Sequence, residues 1–148
     1  MQIYSEDKQN YTKLIDDIGL FFQIRDDLAN LCSKEYADSK SFCEDLTEGK
    51  FSYPIIHSMR YKAEFDKEST DKLMAILKLR TNDIKLKQEA IHILKTNGSF
   101  EFTIKILQQI KSDIFNELKT FNNGNPYLEK MLMELCKIIE TTGQEQNK

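Results

Sequence analysis

An all-α fold is what this chain predicts, and three observations carry that reading. Five glycines and two prolines in 148 residues leave few points where a helix must break. Apolar side chains recur three and four residues apart along most of the chain, the spacing of one helix face. With 40% hydrophobic and 30% charged residues, the composition is that of an ordinary globular domain, and the length is enough to bury a core.

The elements follow in order. A first helix is predicted over residues 7 to 32, with Tyr11, Leu14, Ile15 and Ile18 leading its apolar face. Residues 33 to 50 read as a loop with a short helical turn, and Gly49 as a backbone break. Residues 51 to 61 form the next helix, with Pro54 tolerable only in its first turn. Thr70 is placed as the N-cap of a helix burying Leu73, Ile76 and Leu77. Asn82 or Asp83 caps another, using Leu86, Ala90, Ile93 and Leu94, and Gly98 stops it. Ser99 then caps a long helix with Phe102, Ile106, Ile110 and Leu118 inside. The Asn122 to Asn125 stretch is a turn, and Asn125-Pro126 opens a last helix burying Leu128, Met131, Leu132, Leu135 and Ile139. Met131 and Met133 fit core spacing better than a cofactor box. Residues 143–148 are expected to fray. With no internal repeat and no glycine-rich phosphate loop, residues 1–148 read as one domain.

Charge and composition narrow the function. A net charge of −3 offers no general attraction to nucleic acid. No apolar run approaches the roughly 20 residues of a transmembrane helix. Glu6, Asp7 and Lys8 do not fit a secretory leader. Cys32, Cys43 and Cys136 are odd in number and lack close-pair zinc spacing, so they read as reduced packing residues and the location as cytoplasmic.

The residues that speak of chemistry lie between Gly19 and Lys50. Gln23, Asp26, Asp27 and Asn30 fall three, four and seven residues apart, which sets them along one helical face. Leu20, Phe21, Ile24, Leu28 and Leu31 surround them, and Lys40 and Lys50 follow. Paired carboxylates beside so much apolar surface cost free energy unless compensated. Mg²⁺ compensates them well, since it takes one or two protein carboxylates and fills its other positions with water and phosphate oxygens. Lysines, as compact cations, suit the phosphates. The competing reading is an acidic stripe facing water. Asp16-Asp17 reads as a surface pair. His57 and His92 lack an acidic partner at catalytic spacing and read as structural or surface residues. Lys62, Lys67 and Lys72 look like solvated helix charges.

RDDLAN followed by CEDLTEGKFSYP closely resembles the second aspartate-rich motif of the trans-isoprenyl diphosphate synthases. FFQIRDDLANL and KSFCEDLTEGKFS look most like the animal geranylgeranyl diphosphate synthases. The likeness continues weakly through His92 and Gly98-Ser99-Phe100-Glu101 to Gly124-Asn125-Pro126. It implies the C-terminal half of the isoprenoid synthase helical fold, a partial polyprenyl synthase domain.

The resemblance implies a reaction and a set of roles. A Mg²⁺-dependent prenyltransferase of isoprenoid biosynthesis would join farnesyl diphosphate and isopentenyl diphosphate to give geranylgeranyl diphosphate. Asp26 would be the main metal ligand, with Asp27 a supporting or alternate one. Gln23 would bind near a metal water or the diphosphate. Lys40 and Lys50 would contact the leaving diphosphate, and Asp45 would orient Lys50 or a metal water. Asn30 stands where the general family pattern has a last aspartate. Phe21 and Phe22 are core residues or lie against the prenyl chain or a dimer interface. The family's first motif, DDxxD, and its basic pocket for isopentenyl diphosphate do not occur in these residues, and little activity is expected of them alone. Three readings stay open: part of a complete synthase, a non-catalytic partner associating with one, or a decayed copy. A homo-oligomer or a full-length synthase subunit is the expected assembly.

Overall fold

The computed structural model of the chain describes residues 2–32, 42–61, 63–120, 130, 133 and 134. Among them there is no strand, so the all-α expectation holds. The helices are α1 (Gln2–Leu31), α2 (Glu44–Glu48), α3 (Tyr53–Tyr61), α4 (Lys67–Leu79), α5 (Ile84–Thr96) and α6 (Ser99–Thr120). Lys130, Met133 and Glu134 are also helical. The predicted turn at Asn122 to Asn125, Lys40, Cys136 and most of the last apolar stripe lie outside the described residues.

The chain divides into two compact units, residues 1–25 with 104–148 and residues 26–103. In the first, Lys13 and Glu117 form an ion pair of 3.0 Å between α1 and α6. Leu14, Phe21, Ile24, Leu107, Ile114 and Leu118 are buried. Phe22 is half-buried and carries the Arg25 guanidinium 5.4 Å from its ring centre. In the second unit α4 packs on α5, α2 on α4 and α3 on α5. Leu73, Ile76 and Leu77 of α4 are buried as expected, as are Ala90, Ile93 and Leu94 of α5.

Several boundaries and faces differ from the sequence reading for identifiable reasons. α1 begins at Gln2 because no glycine or proline interrupts residues 2–18. Thr70 is not the cap of α4. Asp66 is, its Oδ1 accepting from the Ser69 N–H at 3.1 Å. Thr70 lies one turn inside, where its hydroxyl donates back to the Asp66 carbonyl at 2.9 Å. For α5 the cap is Asp83, accepting from the Lys85 N–H at 2.8 Å. Ser99 is the first helical residue of α6 rather than its cap, and Gly98 before it takes φ 71°. The α6 face is also rotated. Phe100, Thr103, Leu107, Ile114 and Leu118 are buried, whereas Phe102, Ile106 and Ile110 are half-buried. Thr103 tolerates burial by donating to the Ser99 carbonyl at 2.7 Å. Ile15, Leu20 and Met133 are exposed. Lys72 is exposed but paired with Glu89 across α4 and α5.

α2 is held by both its ends. Cys43 precedes it at φ 48° and Gly49 follows at φ 69°, both left-handed. The Gly49 N–H closes the helix on the Leu46 carbonyl at 3.2 Å. A Cβ on Gly49 would lie 3.1 Å from Arg80 Nε and 3.4 Å from the Leu77 carbonyl, so both the dihedral and the close packing call for glycine. Pro54 is the second residue of α3, where its missing N–H costs nothing.

Candidate functional site

Adjacent residues on a helix point about 100° apart, and this splits the aspartate pair near the end of α1. Asp26 faces solvent and Asp27 is 5% exposed. The buried carboxylate is fully engaged. Its Oδ1 accepts from Lys50 Nζ at 2.9 Å, and its Oδ2 from the backbone N–H of Tyr53 at 3.1 Å. Tyr53 opens α3, so Asp27 also answers the unsatisfied amides and partial positive charge of that helix N-terminus.

Lys50 reaches a second carboxylate. Its Nζ lies 3.8 Å from Oδ2 of Asp45 while its side chain keeps 43% exposure. The hydrogen bond to Asp27, joined by the charges of Asp27 and Asp45, raises the ammonium above the usual lysine value. Burial pushes the Asp45 carboxyl up, against the opposing pull of Lys50 and with reinforcement from Asp27, Glu48 and Glu44. Among the described residues Asp45 Oδ2 has no hydrogen-bond donor. Asp45 is placed by its backbone: its N–H donates to Asn30 Oδ1 at 3.0 Å, and its carbonyl accepts from the Lys50 N–H at 2.9 Å. Asn30 on α1 therefore orders the start of α2.

Three of the residues singled out in the sequence thus form one ionic cluster, Asp27, Asp45 and Lys50, with Asn30 bound to its frame. Asp26 borders it one residue along α1, and Gln23, one turn earlier, is exposed. Two carboxylates meet one ammonium there, which leaves excess negative charge beside an accessible lysine. The acidic stripe facing water describes Gln23 and Asp26 only. Among the described residues no group of three or more His, Cys, Asp or Glu side chains is arranged to hold an ion. The buried Oδ2 of Asp45, without a hydrogen-bond donor, is a hard oxygen of the kind Mg²⁺ takes, and Mg²⁺ needs only one or two from the protein. The Tyr53 amide left no sequence signal, since any residue supplies a backbone N–H. His57 is buried, its Nδ1 2.9 Å from Ser99 Oγ and its ring 4.1 Å from that of Phe102, the structural role expected of it.

The helical chain thus carries a buried carboxylate–lysine cluster where α1, α2 and the start of α3 come together. The chain belongs to the polyprenyl synthetase family, whose model it matches over residues 1–94, a span containing the whole cluster. It is 44% identical over 135 residues to a terpene synthase of Matsumurasca onukii, covering 91% of this chain and 43% of that protein. A geranylgeranyl pyrophosphate synthase of Dictyostelium discoideum is 42% identical over 135 residues, with the same two coverages. One from Penicillium paxilli is 42% identical over 148 residues, covering 98% of this chain and 38% of the relative. The chain therefore spans about two fifths of the length of these relatives. No helix among the described residues is long and apolar enough to cross a membrane.

Proposed function

We propose that the cluster is the diphosphate-leaving side of a prenyl-transfer site, and that within a complete synthase the chain serves the condensation of farnesyl diphosphate with isopentenyl diphosphate. The observation that carries this reading is the division of labour in the aspartate pair: Asp26 is exposed to solvent while buried Asp27 anchors Lys50. Lys50 and Lys40 contact the diphosphate as its bond to the allylic carbon breaks and the electron pair leaves with oxygen. The double bond of isopentenyl diphosphate then supplies the electrons of the new carbon–carbon bond. Loss of a proton from the resulting cation restores a double bond and yields geranylgeranyl diphosphate. Asp27 and Asp45 hold the Lys50 ammonium protonated and aimed, and Gln23 lies beside the diphosphate or a metal-bound water. Asp26 would hold Mg²⁺, while Asp27, both of whose oxygens are engaged, would support the site through Lys50 rather than as an alternate ligand, and the ion would supply neutralisation of the diphosphate charge. We place the protein in the cytoplasm, as a homo-oligomer or as a subunit beside a full-length synthase.

Calorimetric titration of the chain with geranylgeranyl diphosphate tests the site. Binding should require Mg²⁺, and Asp26→Ala should remove that requirement together with most of the affinity. Equal binding with and without Mg²⁺, or an unchanged isotherm for Asp26→Ala, would overturn the assignment.

A further inference from the structure

Lys87, in the first turn of α5, is fully buried. Burying a lysine amine is costly unless its donors are used, and methionine would fill the same space without that cost. The Nζ of Lys87 donates to the backbone carbonyl of Phe42, 45 residues earlier in the chain. Phe42 immediately precedes Cys43, the left-handed residue from which α2 starts. Cys43 is itself tied to α1, its Sγ 3.7 Å from the Leu31 carbonyl. From this turn α2 runs through Asp45 to Gly49 and Lys50. The same corner of the molecule holds the rest of α2. Thr47 Oγ1 donates to the Thr81 carbonyl at 3.0 Å, and the Arg80 side chain lies against Gly49. The limb carrying two cluster residues is thus gripped by the α4–α5 corner at its start, middle and end, and only the grip at its start uses a buried amine.

We infer that Lys87 is a positioning residue of the diphosphate site, its amine fixing the Phe42–Cys43 turn so that Asp45 and Lys50 meet Asp27. The inference rests on the proposed function for the word site, while the clamp itself stands on the geometry. Lys87 touches no substrate; it acts through the backbone of Phe42. A lysine whose role were packing alone would not need to end on a carbonyl of the segment bearing the charged residues.

The experiment compares the full chain with Lys87→Met, which keeps the stem and removes the donor. Amide exchange is read at Leu46, Gly49 and Lys50, whose N–H groups close α2. Titration with inorganic pyrophosphate and Mg²⁺ is run in parallel. The three amides should exchange about tenfold faster or more, while those of Ile76 and Leu77 in α4 stay unchanged, and pyrophosphate affinity should fall several-fold. Equal acceleration throughout α4 and α5 would make Lys87 a general core residue and overturn the inference. Loosening of α2 with unchanged pyrophosphate affinity would overturn it too, since the limb would then not serve the site. A wild-type chain that binds no pyrophosphate would instead defeat the proposed function and leave the exchange data to decide the clamp. Should Lys87→Met fail to fold, exchange of the Lys87 Nζ protons in the wild type decides. Rates of opening equal to those of Leu46 and Lys50 are expected, and release independent of them refutes the clamp.

Discussion

Replacing Lys50 with methionine should destabilise the fold by about 1.5 kcal/mol. The substitution keeps the stem and deletes the ammonium 2.9 Å from Asp27 Oδ1. The carboxylate it leaves behind has a side chain 7% exposed and one remaining donor, the Tyr53 amide. A hydrogen bond to a charged group contributes roughly 1.5–3 kcal/mol. Lys50 is 43% exposed, so water screens the pair and the lower end applies. Asp45, at 3.8 Å, adds little directly but loses the one charge opposing the rise of its carboxyl. Urea unfolding followed by circular dichroism measures the difference, and with a slope of about 1–3 kcal/mol per molar the midpoint should drop by roughly 0.5–1.5 M. A double-mutant cycle with Asp27→Asn isolates the pair, and the coupling should hold most of the loss. A change below about 0.3 kcal/mol would show Lys50 to be an ordinary solvated charge. A loss above about 4 kcal/mol would mean the cluster is far less accessible to water than its exposure indicates.

The aspartate pair should separate by assay: Asp27→Ala costs about 2–3 kcal/mol of stability in the same unfolding experiment, whereas Asp26→Ala costs under about 0.5 kcal/mol and acts on Mg²⁺-dependent diphosphate binding instead. Gly49→Ala should cost about 1–2 kcal/mol, because alanine must adopt φ 69° and crowd the Arg80 side chain; an unchanged thermal midpoint would refute the dihedral argument. Asp45 gives a pH signature. Its folded carboxyl titrates above its ordinary value of 3.8, so the folded state holds more protons and stability falls as pH rises from about 3.8 through the raised value. Asp45→Asn should lose that component of the fall, and parallel pH–stability curves for the two proteins would show that burial does not govern this group. Lys50 has the opposite limb: its raised value means its contribution is complete below 10.5 and disappears as pH climbs beyond it, a loss that Lys50→Met should not share.

Much of the fold was legible because helix period and breakers are local properties. Leu73, Ile76 and Leu77, or Ala90, Ile93 and Leu94, announce their faces within one or two turns, and Gly98 marks its stop by a dihedral other residues resist. Caps were less legible. Asp66 and Thr70 are both good capping types four residues apart, and only the chain's path after α3 chooses between them. In α6 Leu118 is buried as expected, but Phe102, Ile106 and Ile110 are only half-buried, because apolar residues at 100, 102, 104, 106, 107 and 110 surround much of the helix and which stripe is buried depends on what packs there.

The site shows the same boundary more sharply. Side-chain types named Asp26, Asp27, Asn30, Asp45 and Lys50 as candidates, and the 18 residues between Cys32 and Phe51 concealed how four of them meet. Two identical neighbours in sequence acquire unlike work once a helix turns one of them inward. The inward carboxylate cannot be left charged without donors, so it demands Lys50 and the first amide of α3. The outward one keeps its contact with water and carries no such demand. That asymmetry follows from helical geometry and desolvation together, and the limb that returns Lys50 to Asp27 is held at its start by a buried donor. No sequence pattern points to that donor, since Lys87 sits among Lys85 and Lys95 in a charged stretch, yet it alone of the three is fully buried, ending on the carbonyl where the limb begins.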